Sequence, residues 1–221
     1  MTLQPDTLRS LVKVAAEQVI ACAPELTALD QAIGDGDHGI NMKRGFEAVL
    51  KKLDTISEQP LDEAFKTIGK TLVMTVGGAS GPLYGVAFRR AGKALGAAAS
   101  VDLPGLEQAL EAALAGVQQL GAAREGDKTM VDALAPATRA FGKAIAEGAS
   151  ADAALSALAE AAAAGAEATV SMQARKGRAS YLGPRSVGHE DPGAASTALI
   201  LAALRDAAAG AGPAGAGDAG R

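Results

Sequence analysis

Apolar residues recur at three- and four-residue intervals along most of this chain. Leu8, Leu11, Ala15, Val19 and Cys22 form one such stripe; Leu61, Phe65, Ile68, Leu72 and Val76 form another. The cleanest runs through Leu103, Leu106, Leu110, Leu114, Val117 and Leu120. This spacing places one apolar face on an α-helix. No run alternates with period two between turn signals, so no strand is expected. The pattern predicts helices over 4–22, 25–33, 38–54, 61–76, 80–98, 103–121, 129–147, 151–172 and 192–209. Alanine, the strongest helix former, is abundant throughout, and Pro24, Pro60, Pro104 and the Gly148-Ala-Ser150 break punctuate the pattern. Residues 1–209 read as one helical domain, and the Gly/Ala/Pro-rich 210–221 as a disordered tail.

Composition narrows the function classes. With 221 residues and 48% hydrophobic content the chain can bury a core without cross-links. A net charge of −4 and 3% aromatics provide neither a basic footprint nor stacking platforms for nucleic acid. The single cysteine, Cys22, fits a reducing, cytoplasmic setting, and no apolar stretch reaches the ~20 residues of a membrane span.

Three segments break the helical pattern, and they hold the chemistry. Asp30, Asp35 and Asp37 crowd a loop interleaved with Gly34, Gly36 and Gly39. Carboxylates this close repel unless a cation neutralises them, and hard oxygen donors suit Mg²⁺. The bland alternative is a solvated turn with Asp37 as a helix N-cap. An EF-hand is excluded, because the twelfth position from Asp35 is Phe46. Gly34-x-Gly36-x-x-Gly39 imitates a dinucleotide fingerprint, but a helix precedes it where a strand is required. Gly69-Lys70-Thr71 imitates a P-loop, but Ala64 stands where its first glycine belongs.

Gly77-Gly-Ala-Ser-Gly-Pro82 lies between two helices, with Ser80 available as a cap. It suits either a phosphate cradle at a helix N-terminus or a plain interhelical turn. The polar stretch 173–190 carries Arg175, Lys176, Arg178 and Arg185. These read as a phosphate clamp or as a solvated charge run, with only Tyr181-Leu182 to hold the segment down. His38 and His189 have no visible nucleophile partner at triad spacing. Asp191-Pro192-Gly193 reads as an N-cap followed by an N1 proline. No nucleophile–base pair emerges; the parts are those of metal-assisted phosphoryl transfer.

Five ordered motifs sharpen this: Gly34-Asp-Gly-Asp-His-Gly-Ile-Asn-Met42, Gly77-Gly-Ala-Ser-Gly-Pro82, Gly126-Asp-Lys-Thr-Met130, Ala174-Arg-Lys-Gly-Arg-Ala-Ser-Tyr-Leu-Gly183 and Gly188-His-Glu-Asp-Pro-Gly-Ala194. Together they closely resemble the nucleotide-binding L-subunit family of dihydroxyacetone kinases, from about Leu29 to the last helix. The resemblance implies an all-α barrel of about eight antiparallel amphipathic helices with the nucleotide at one end. It implies Asp30, Asp35 and Asp37 as ligands of two Mg²⁺ ions. It implies ADP or ATP contacts at His38, Gly39, Ile40, Asn41, Ala79, Ser80, Gly121, Met130, Arg178, Asp191, Pro192 and Gly193. Where the family often carries a lysine after the glycine matched by Gly121, this chain has Ala122.

In that family a K subunit holds dihydroxyacetone covalently through a histidine. In the phosphotransferase-system version a multidomain M subunit rephosphorylates ADP retained on L. A stand-alone L of this length fits that version. The alternatives are an ATP-dependent L subunit of another short-chain sugar kinase, or a nucleotide-loaded regulator docking a transcription factor.

Overall fold

The computed structural model describes residues 5–98 and 100–210; the 211–221 part of the expected tail lies outside them. Among the described residues every multi-residue regular element is helical. The α-helices are α1 (Pro5–Ala21), α2 (Ala23–Ile33), α3 (His38–Leu50), α4 (Leu53–Ser57), α5 (Leu61–Thr75) and α6 (Ser80–Leu95), then α7 (Leu103–Gly121), α8 (Val131–Ala146), α9 (Ala151–Ala168) and α10 (Pro192–Ala208). Two 3₁₀ segments, Thr169–Ser171 and Arg178–Ser186, lie between α9 and α10.

Eight of these helices close a ring. In order of contact it runs α1, α3, α5, α6, α7, α8, α9, α10 and back to α1. Helices α2 and α4 pack outside it, as connectors that let α1, α3 and α5 stand side by side. The apolar stripes face inward: Val19, Phe46, Ile68, Leu72, Val117, Phe141, Leu155 and Leu158 are all buried in one continuous core. With few aromatics to fill it, the barrel keeps an apolar cavity of about 130 Å³ near its axis.

Most predicted helices fall within a few residues of their observed bounds. The helix predicted over 38–54 instead ends at Leu50, and a separate short turn of helix follows at Leu53. Pro24, taken as a stop, sits in the first turn of α2, where its missing N–H costs nothing. Helix α9 ends at Ala168 and tightens into 3₁₀ rather than running to 172. No described helix is long and apolar enough to cross a membrane.

Candidate functional site at one end of the helical barrel

Chain direction alternates around the ring, so α3, α6, α8 and α10 all begin at the same end. Their first residues, His38, Ser80, Val131 and Pro192, line one cleft of about 270 Å³. Unbonded N–H groups and the aligned peptide dipoles give each helix start a partial positive charge. The cap residues of α3, α6 and α8 make no side-chain bond, but Asp30 takes the His38 N–H at the start of α3 and Thr129 Oγ1 the Val131 N–H at the start of α8, which leaves α6 the most open. Asp191 does cap α10, accepting from the Ala194 N–H at 2.7 Å. The expectation that Ser80 caps α6 fails: Ala79 occupies the cap position, and the Ser80 hydroxyl bonds His38 Nδ1 at 3.1 Å.

The acidic loop folds tightly across this end. Asp30, the last buried acid of α2, accepts the Asp37 and His38 N–H groups on Oδ2 at 2.8 and 3.1 Å. That bond pair turns the chain back and brings Asp35 and Asp37 beside Asp30. One carboxylate oxygen from each lies within 4.8 Å of the others. Three hard oxygens at this separation fit Mg²⁺ and offer no soft ligand for Zn²⁺ or copper. Gly34 is required by close approach, since a Cβ there would sit 2.0 Å from Asp30 Oδ1. The Arg178 guanidinium lies 3.1 Å from Asp35 Oδ2, so one cation already leans on the cluster from the 173–190 segment.

His38 is buried between α3, α6 and α10, and burial pushes its pKa below the ordinary value against the opposing pull of Asp30 and Asp37. Its Nε2 meets the Ser196 hydroxyl at 2.9 Å, and Ser196 meets the Tyr84 hydroxyl at 2.7 Å. Tyr84 also bonds Thr197 at 2.9 Å; burial raises its pKa to about 12, which keeps it a neutral hydrogen-bonding group. This chain fixes the rotamer of Ser80 at the cleft edge through the His38 ring.

Ten of the twelve residues expected at the nucleotide, and all three aspartates, line the cleft: Asp30, Asp35, Asp37, His38, Asn41, Ala79, Ser80, Gly121, Met130, Arg178, Asp191, Pro192 and Gly193. Gly39 and Ile40 do not. Gly39 packs against α2, where a Cβ would meet Ala23 O at 2.0 Å, and Ile40 is 59% exposed. Of the basic cluster, Lys176 and Arg178 line the cleft, while Arg175 and Arg185 do not. The reading of 173–190 as held down only by Tyr181-Leu182 is corrected. Ala174 and Ala179 are buried with Ile33, Leu182 packs on them, and Tyr181 is 88% exposed. The Ser186 hydroxyl accepts from Ala174 N at 2.9 Å and donates to Gly183 O at 2.7 Å.

Three buried charges around the Gly121–Val131 turn have no counterpart among the residues expected from sequence. Asp132 accepts the Gly126 and Thr129 N–H groups at 2.5 and 2.7 Å. Asp127 accepts the Arg124 N–H at 3.0 Å, and Lys128 is 1% exposed. The signal was present in the Gly126-Asp-Lys-Thr-Met130 motif, of which only Met130 was singled out.

The profile of the DAK2 domain matches residues 32–206. The chain is 45% identical over 183 residues to the PEP-dependent dihydroxyacetone kinase ADP-binding subunit DhaL of Escherichia coli, covering 83% of this chain and 87% of that protein. It is likewise 45% identical over 204 residues to an ADP-binding DhaL subunit of Listeria innocua, covering 92% and 97%. Among solved structures it superposes on the dihydroxyacetone kinase of C. freundii in complex with AMP-PNP and Mg²⁺, with a TM-score of 0.68 and 30% identity. That match covers 90% of this chain but 33% of the larger kinase, so the chain spans about a third of its length. The closed all-helical ring, the motif order and near-full-length similarity at 45% identity place this chain in the DAK2 domain family, among the ADP-binding DhaL subunits of dihydroxyacetone kinase.

Proposed function

We propose that this chain carries Mg-ADP in the cleft at the end of its barrel and presents a phosphoryl group to dihydroxyacetone held on a separate K subunit. One observation carries the reading. Three mutually close carboxylates, the uncapped start of α6 and the Arg178 guanidinium converge on one cleft of nucleotide-compatible size. Asp30, Asp35 and Asp37 would hold two Mg²⁺ ions. Bound there, the ions would neutralise phosphate charge and polarise the transferring group.

The chain's own groups do the rest by positioning. The N–H groups that open α6, beside Ala79 and Ser80, face the phosphates, and the α3 and α10 starts add their dipoles. Arg178 exchanges its exposed pairing with Asp35, worth ~1 kcal/mol or less, for a charge-assisted bond to phosphate. Gly121 and Met130, with Leu83, Val117 and Ala123 around them, form the apolar part of the cleft and suit the base. No side chain here forms a covalent intermediate, so catalysis rests on alignment and charge neutralisation.

The ADP is read as a retained coenzyme, rephosphorylated in place by a phosphoryl-donor M subunit. The naming of the E. coli relative as PEP-dependent supports this over free exchange with ATP. Calorimetric titration with ADP tests the site. Stoichiometric binding is expected with Mg²⁺ and its loss with chelator. Binding indifferent to Mg²⁺ would remove the aspartates from the proposal, and fast exchange of bound ADP with ATP would favour an ATP-dependent L subunit.

A further inference from the structure

Lys128 stands in the turn between α7 and α8 and borders the cleft, yet its side chain is 1% exposed. A lysine at the edge of an anion site is ordinarily read as a phosphate ligand. Here the ammonium is already spent. It has three N–H donors, and it gives them to three backbone carbonyls: Thr169 at 2.7 Å, Met172 at 3.2 Å, and His189. Thr169 and Met172 lie where the chain leaves α9, and His189 lies just before Asp191 opens α10. One cation therefore ties together the two ends of the whole 173–190 segment.

Neighbouring bonds converge on the same neck. The Asp191 N–H donates to Thr169 Oγ1 at 2.9 Å, the Gly188 N–H to Val170 O at 2.7 Å, and the Arg175 N–H to Asp127 O at 3.0 Å. Lys128 holds a left-handed backbone, φ +61°, a conformation that is unfavourable for a non-glycine residue. The two Asp132 bonds to Gly126 and Thr129 N–H stabilise that turn.

We infer that Lys128 is a positioning residue: it closes the neck of the 173–190 segment and thereby sets Lys176 and Arg178 on one side of the cleft and the Asp191–Gly193 helix start on another. This rests on the nucleotide reading of the cleft. Without the ammonium, three carbonyls lose their donor, and an 18-residue loop regains freedom at both ends. The metal loop at Asp30–Asp37 hangs from α2 and α3, takes no bond from Lys128 and meets the charges of the segment only through the exposed Arg178–Asp35 pair, so Mn²⁺ binding should feel the loss of Lys128 far less than Mg-ADP binding does.

The experiment compares wild type, Lys128→Met and a control, Leu158→Ala, whose buried side chain lies in the α9 core away from the cleft. Each is titrated with Mg-ADP, and separately with Mn²⁺ alone, and its melting temperature is recorded. The inference expects Lys128→Met to raise the Mg-ADP Kd at least tenfold while leaving the Mn²⁺ Kd within twofold of wild type. Leu158→Ala should keep wild-type nucleotide affinity despite a comparable loss of melting temperature. Equal ADP affinities in the Met variant and the control, or a parallel loss of Mn²⁺ binding in the Met variant, would overturn the positioning role. Absence of Mg-ADP binding in wild type would instead overturn the nucleotide reading and the inference with it. Should the Met variant fail to fold, ¹⁵N-lysine spectroscopy of wild type decides. The Lys128 ammonium signal should stay in slow exchange and barely move on adding Mg-ADP, whereas coupling to ³¹P would make it a phosphate ligand and overturn the inference.

Discussion

Asp35 and Asp191 are both cleft carboxylates, and their surroundings give them opposite behaviour. Asp35 is partly exposed, paired with Arg178 and one of three converging acids. Replacing it by asparagine keeps the shape and removes one anionic ligand. Charged contacts of this kind contribute about 1.5–3 kcal/mol, so Asp35→Asn is expected to weaken Mg-ADP binding by one to two powers of ten, measured as Kd or as ADP retained through purification. Asp191 is buried, and burial lifts its pKa to about 7 despite the Ala194 N–H bond and the nearby Lys128 charge. Its folded pKa thus exceeds the 3.8 of an ordinary aspartate. The folded chain then holds more protons than the unfolded one between roughly pH 4 and 7, and Asp191's contribution to stability falls as pH rises through that window. Asparagine caps a helix as well as aspartate does but does not titrate. The stability difference between wild type and Asp191→Asn, from urea unfolding at several pH values, should therefore shift against wild type from pH 4 to pH 7. A flat difference would remove Asp191 from that account.

Two elements show how local sequence signals and packing divide a role. Gly39 sits in a Gly-rich motif that the family resemblance assigns to the nucleotide, and it is also where α3 crosses α2. Its would-be Cβ is 2.0 Å from Ala23 O and 2.4 Å from Thr27 Oγ1, so the two helices meet only because no side chain intervenes. Gly39→Ala is expected to destabilise the fold by about 1–3 kcal/mol, lowering the melting temperature by several degrees with or without nucleotide. The 173–190 segment is the one whose pattern misleads. Its polarity suggests an unanchored loop, yet small residues, Ala174 and Ala179, bury it against Ile33, and Ser186 bonds across it. Hydrophobic patterning cannot detect an anchor built from alanines and a serine hydroxyl. Trypsin should still cut after Lys176, which borders the cleft, slowly in wild type and more slowly with Mg-ADP bound. Ser186→Ala, which removes the cross-segment bond to Ala174 and the local one to Gly183, should accelerate that cleavage in the nucleotide-free chain; an unchanged rate would mean the anchor lies elsewhere.

At the scale of the whole molecule, the helical ring was legible because every ring helix carries a periodic apolar stripe and a break at each end. The closure into a barrel of about eight helices came from the family resemblance and not from periodicity, because α2 and α4 are periodic too and nothing in their patterns marks them as lying outside the ring. The acidic loop was legible from three aspartates among glycines, while Lys128 was not, since a buried lysine looks like any other until its carbonyl partners are placed. The alternation of chain direction explains the site's position: it gathers the α3, α6, α8 and α10 starts at one end and leaves the apolar cavity along the axis. The role proposed for this chain is that of the nucleotide-carrying member of a kinase. Its most direct test loads the purified chain with one equivalent of Mg-ADP and removes free nucleotide. A K subunit, dihydroxyacetone and a phosphorylated M subunit are then added, and dihydroxyacetone phosphate is followed over time. Many product molecules per ADP are expected, with the ADP still bound at the end; no product while the nucleotide stays bound would rule out a nucleotide-carrying role in the kinase.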